Sequence, residues 1–135
     1  MIVSVAQVAL LVREYEEALA FYQGILGFVL VEDTALPGGK RWVRLRAPGG
    51  GGAEILLSRA VDDTQLASVG HQAGGRVLFF LNTNDFDGDF AHLRERGVDF
   101  VEGPLEHSYG KVAVFRDCYG NRIDLIERSA SATAE

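Results

Sequence analysis

The 135-residue sequence is short of several things, and each shortage excludes a class of protein. One cysteine, Cys118, leaves no internal disulfide to form and fits a reducing cytoplasm, the compartment expected here. No apolar run approaches the ~20 residues that a membrane span needs. The start, "MIVSVAQVALLV", carries no basic segment and no small-residue cleavage site, so it reads as a first strand instead of a signal. Basic residues are outnumbered, 13 Lys and Arg against 19 Asp and Glu, and they form no cluster. A net charge of −6 so distributed argues against nucleic acid or an anionic membrane as partner. What remains is a soluble domain of ordinary composition, 47% hydrophobic and 24% charged, long enough to bury a stable core.

What is present is a doubled plan. In the first half, "QVALLV" is a strand-like run followed by "REYEEALAFYQGILG". Tyr15, Ala18, Leu19, Tyr22 and Leu26 recur with helical spacing, and Gly27 supplies a stop. Three strand-like runs follow, "FVLVED", "KRWVRLRA" and "AEILLS", separated by "LPGG" and "PGGGG", whose prolines and glycines suit turns. The second half repeats the order. "RVLFFLN" precedes a helix carrying Phe86, Phe90 and Leu93, with Asp85, Asp87 and Asp89 at its start and Arg94 and Arg96 at its end, as the helix dipole favours. Gly97 ends it, and "VDFVE", "GKVAVFRD" and "RIDLIE" complete the set. The plan predicts an α+β fold, one domain over 1–135 made of two β-α-β-β-β modules at 2–60 and 74–128. A polar linker is expected over 61–73 and a frayed tail over 129–135.

Counting places four residues in equivalent positions. Gln7 stands 20 residues before Gly27 and Arg76 stands 21 before Gly97. Glu54 stands 47 residues after Gln7 and Asp124 stands 48 after Arg76. Two carboxylates thus interrupt otherwise apolar last strands, and buried charges need partners. Packing of the modules about a pseudo-twofold axis would let all four residues point into one cleft.

The runs "EEALAFYQGILGF" and "FRDCYGNRIDLIE", with the doubled plan, resemble the vicinal oxygen chelate superfamily over about residues 2 to 128. That superfamily includes glyoxalase I, extradiol dioxygenases, fosfomycin-resistance enzymes and bleomycin-resistance proteins. Cys118 stands where it usually has proline. The resemblance implies curled mixed sheets forming a cup, a divalent metal at its base (Zn, Ni or Fe) and, commonly, a homodimer. It places the metal ligands at Gln7, Glu54, Arg76 and Asp124. Gln7 and Glu54 suit a metal, and Asp124 is one methylene shorter than the usual Glu. A guanidinium has five N–H donors and no lone pair, so Arg76 cannot ligate a cation. Arg76 is therefore expected either to replace the metal by bridging Glu54 and Asp124, or to snorkel to water at the rim.

The remaining candidates are weaker. His71 would ligate only by swinging in from a glycine-rich loop, and His92 reads as a solvated helix residue. His107 and Tyr109, in "EHSYGK", are candidates for the lip of a cup. Strand alternation puts Leu78 and Phe80 on the face of Arg76, which makes Phe80 a pocket candidate and Phe79 a core contact. Trp42 and Phe115 read as pocket lining or core. Arg44 and Arg46, alternating with Val43 and Leu45, read as a solvated face or as an anion site. Cys118 has no evident base to activate it. The reading preferred is a metal-free protein that binds an unidentified small molecule through Gln7, Glu54, Arg76, Phe80, His107, Tyr109 and Asp124, with no cofactor. The alternatives are a metal-dependent lyase, isomerase or dioxygenase, or a metal-free lyase or isomerase in which Glu54 or Asp124 moves a proton.

Overall fold

A computed structural model describes residues 1–130. The chain divides into two compact units, Met1–Gly70 and a second that begins at His71. The boundary falls inside the expected linker.

The first unit runs β1 (Gln7–Val12), α1 (Tyr15–Tyr22), β2 (Val29–Ala35), β3 (Arg41–Arg46), β4 (Glu54–Arg59) and α2 (Asp63–Ser68). Its four strands form one sheet in the order β1-β4-β3-β2, with β1 and β4 parallel and the other pairs antiparallel. Apolar residues at every second position commit one face of that sheet to the core. Leu10 and Val12, Val43 and Leu45, and Ile55 and Leu57 are all buried, with Tyr15, Ala18, Leu19 and Tyr22 of α1 among the buried helix residues. Arg41 fastens the helix to the sheet. It donates to both carboxylate oxygens of Asp33 (3.1 and 2.6 Å) and to Glu16 at 2.6 Å, with its guanidinium 4.9 Å from the centre of the Tyr15 ring. The helix is shorter than its apolar spacing predicts. Its regular part ends at Tyr22, and Ile25 and Leu26 continue as tight turns whose N–H groups both donate to the Phe21 carbonyl. Gly27 takes the left-handed conformation, φ +77°, that favours glycine, as the stop signal required.

The second unit runs β5 (Val77–Asn82), α3 (Phe86–Glu95), β6 (Phe100–His107), β7 (Gly110–Arg116) and β8 (Arg122–Arg128). Its sheet has the matching order, β5-β8-β7-β6, again with only the first and last strands parallel. Asp85 caps α3 by accepting the Gly88 N–H at 3.2 Å, with Asp87 and Asp89 in the first turn, so "DFDGDF" is a helix start. Phe90, Phe100 and Phe115 form a chain of ring contacts, 4.5 and 5.6 Å between centroids, and Phe115 is fully buried. Phe115 is therefore core and not pocket lining.

Each half thus has the predicted β-α-β-β-β order, in two four-stranded mixed sheets. The segment 61–73 is not wholly a linker, because Asp62 caps α2 by accepting the Gln65 N–H at 2.8 Å. Of the expected tail, Ser129 is tied back to the Tyr109 carbonyl at 2.9 Å, and residues from 131 on lie outside those described. No helix among the described residues is long and apolar enough to cross a membrane.

Candidate functional site

In the first unit the sheet face opposite the buried side chains mixes charged residues with Leu11, Trp42 and Leu56. Ile55 and Leu57 point to the core, so Glu54 points away from it. Gln7 is its register partner across the parallel β1–β4 pair, which brings the two predicted residues side by side. Arg44, opposite Leu56 on β3, shares that face. Its Nη1 donates to Glu54 Oε1 at 2.5 Å and its Nε donates to Glu32 Oε1 at 2.9 Å. Thr34 Oγ1 donates to the other Glu32 oxygen at 2.9 Å. A row of charge, Glu54–Arg44–Glu32, therefore crosses three strands. Hydrogen bonds from Arg44 first, and from Thr34 second, hold Glu32 below the usual carboxylate range, and the Glu54 and Glu32 oxygens keep the Arg44 guanidinium firmly protonated. A cleft of about 630 Å³ opens at the Glu54 end of this row, lined by Gln7, Arg44 and Glu54 with Ala6 and Gly52 among its walls.

The second unit carries its carboxylate differently. Ile123 and Leu125 are buried, and Glu127, of the same parity, accepts the Phe86 N–H of α3 at 2.8 Å. Asp124 consequently lies on the face away from α3. Its register partners are Phe80 on β5 and Val114 on β7. Phe80 is 63% exposed, whereas Asp124 Oδ1 is buried and has no hydrogen-bond partner among the described residues. Nearby Glu102, opposite Val114, is paired with Arg122 at 3.2 Å. Burial raises the Asp124 carboxyl above the usual aspartate range, the Glu102 charge adds to the rise, and Arg128 offsets part of it.

That direction gives a prediction. A carboxyl whose folded value lies above its unfolded value keeps its proton longer in the native state, so native stability falls as pH rises through the gap. Asp124→Asn removes the ionised form. The variant is expected to be as stable as the parent or slightly more so at about pH 7, by less than ~1 kcal/mol because the group is partly exposed. The advantage should vanish at about pH 3, where both forms are neutral. Urea unfolding at the two pH values measures it, and a clear loss of stability at neutral pH would mean that Asp124 has a partner after all.

The other predicted residues are placed as follows. Arg76 does not occupy the place of Gln7. It precedes β5, is exposed, and within its own unit forms no ion pair with a carboxylate among the described residues. The residue opposite Asp124 is Phe80, four residues beyond Arg76, and a register shift between Val77 and Phe79 interrupts the alternation expected to put Arg76, Leu78 and Phe80 on one face. Phe79, paired with buried Ile123, is on the α3 side as expected. Within the units, Glu54 is held by Arg44, and Asp124 Oδ1 has no hydrogen-bond partner among the described residues. His107 and Tyr109 stack at the β6–β7 turn, 4.9 Å between ring centres and nearly parallel. His107 lies opposite Gly110, which pairs with Arg128, four residues or about 13 Å along β8 from Asp124. His71 and His92 are exposed. Sequence reasoning missed Glu32 and Glu102, and it left Arg44 undecided.

A divalent metal is poorly served by these groups. Glu54 already carries a guanidinium, Arg76 has no lone pair to offer, and no group of three or more His, Cys, Asp or Glu side chains among the described residues converges on one point.

A family model described as Glyoxalase/Bleomycin resistance protein/Dioxygenase superfamily matches residues 4–125. An uncharacterized protein of Shewanella frigidimarina (strain NCIMB 400) is 46% identical over 125 residues, 92% of this chain and 93% of that protein. Among solved structures, TnmS3, described as an antibiotic binding protein from Streptomyces sp. CB03234, is 33% identical with a TM-score of 0.78, covering 95% of this chain and 98% of its own. UcmS2 is 27% identical with a TM-score of 0.81, covering 93% and 98%.

Proposed function

The chain belongs to the glyoxalase/bleomycin resistance/dioxygenase superfamily, and on that premise we propose that it binds a small organic molecule without a metal. The observation that carries this reading is the Arg44–Glu54 hydrogen bond. The carboxylate that the superfamily pattern assigns to a metal is neutralised by a charge that the chain itself supplies. Arg44 takes the part that the sequence suggested for Arg76. The cleft over Gln7, Arg44 and Glu54 and the exposed Phe80 beside Asp124 are the surfaces a ligand would use. The antibiotic-binding description of TnmS3 supports a ligand of that kind. Glu54 is engaged by Arg44 in an ion pair, an arrangement that favours binding over catalysis. A homodimer and a cytoplasmic location belong to the same proposal.

Thermal-shift screening of an antibiotic panel in excess EDTA tests it. The expected result is at least one compound that raises the melting temperature, binds with simple stoichiometry by calorimetry and is recovered unchanged. Binding that appears only after Zn²⁺, Ni²⁺ or Fe²⁺ is added, or chemical conversion of the compound, would establish the metal-dependent enzyme instead.

A further inference from the structure

The Asp124 carboxylate is the one site residue that the metal-free reading leaves without an occupation. Buried acceptors in native proteins are nearly always satisfied, and one that is not calls for a missing partner. Its surroundings define that partner. Glu102, the adjacent acid, has Arg122 at 3.2 Å, so of the two acids on this face only Asp124 lacks a direct cation. Two acids close enough to repel favour an incoming positive charge and disfavour an incoming anion. Beside the carboxylate, Phe80 in register on β5 is 63% exposed. An aromatic ring held open on a sheet face offers a flat apolar surface next to a carboxylate oxygen without a partner. Rotation about χ2 of aspartate is soft, so either oxygen can be turned toward a ligand.

We propose that the face of β5, β8 and β7 around Asp124 binds a protonated amine attached to an aromatic or similarly flat apolar ring, with Asp124 accepting from the ammonium and Phe80 packing against the ring. This rests on the metal-free binding reading and adds to it the chemical class of ligand. The ammonium supplies the charge-assisted hydrogen bond that Asp124 lacks, and the ring covers the side chain that water now touches.

The test is a ¹H–¹⁵N shift titration of the full chain with 2-phenylethylammonium in excess EDTA, with 2-phenylethanol and 3-phenylpropionate as neutral and anionic controls. The ammonium should bind with shifts centred on Phe80, Val114 and Asp124, and the two controls at least about tenfold more weakly. Asp124→Asn should weaken the ammonium about tenfold or more, and Phe80→Ala about fivefold. Asp87→Asn, which removes the same charge from α3, should change it by less than about twofold, which separates a local contact from net charge. Equal affinity for all three probes, or indifference to Asp124→Asn, overturns the ammonium site and leaves metal-free binding intact. Ammonium binding that appears only when Zn²⁺ replaces EDTA overturns the metal-free reading itself. Absence of binding under both conditions overturns the site.

Discussion

On the proposed metal-free reading, Arg44→His is expected to create a site that binds Zn²⁺ or Ni²⁺ with a Kd of about 10 μM or tighter, while Arg76→His stays silent. The asymmetry follows from where the two arginines stand. Arg44 lies on the face that carries Glu54, Glu32 and Gln7, at hydrogen-bond distance from both carboxylates. Removing its charge leaves Glu32 and Glu54 facing each other across one strand, and a neutral imidazole adds the lone pair that a guanidinium lacks. A cation then meets two carboxylates, an imidazole and the Gln7 amide oxygen. Arg76 precedes β5, and Asp124 is in register with Phe80 four residues further on, so a histidine at 76 gathers no comparable set. Calorimetric titration of both variants and the parent, free of tags, decides the matter. Tight binding by Arg76→His with none by Arg44→His would return the metal-replacing role to Arg76. Stoichiometric binding by the parent would remove the premise altogether.

Much of this was legible in the sequence, and the illegible part has identifiable causes. Strand and helix order followed from periodicity because each strand has one face committed to a core, as with Val43 and Leu45 beneath Arg44. Gln7 and Glu54, expected on the first and last strands of the first half, are register partners, since β1 and β4 pair without a shift. Arg76 is not the register partner of Asp124 as Gln7 is of Glu54, because a count from the helix-ending glycines carries no information on how β5 and β8 pair, and Phe80 stands opposite Asp124. The Arg44–Glu54 pair was invisible for another reason. Its register depends on the loop from Ala47 to Ala53, in which four consecutive glycines fix no single geometry. The strand expected over "VDFVE" runs further, as β6, to His107. As the outer strand of its sheet, with register shifts on either side of Glu102, it tolerates a proline that an inner strand would not.

The sequence run that most strongly signals the superfamily, "FRDCYGNRIDLIE", turns out to divide its labour between holding and binding, and Asp117→Ala exposes the division. Asp117 is buried, and so is Asn121. One carboxylate oxygen accepts the N–H groups of Tyr119 and Asn121, both at 2.9 Å, and the other accepts the Asn121 side-chain amide at 2.9 Å. The Asp117 N–H donates to the Asn121 carbonyl at 2.8 Å, which closes the turn. Alanine strands three donors at once in a place water scarcely reaches. Asp117→Ala is therefore expected to cost about 3–5 kcal/mol, and Asp117→Asn, which sets an amide N–H against donors, about 2–3 kcal/mol. The consequence extends to the site. This turn sets Arg116 opposite Arg122 and thereby Val114 opposite Asp124, so loosening it should also blur the surface beside Phe80. Urea unfolding followed by circular dichroism measures the loss. Asp124→Asn, seven residues along the same run, should leave stability nearly untouched while weakening ligand, so the two aspartates separate cleanly. A loss below about 1 kcal/mol for Asp117→Ala would mean that the β7–β8 ladder alone holds the register, and the turn would no longer account for where Asp124 lies.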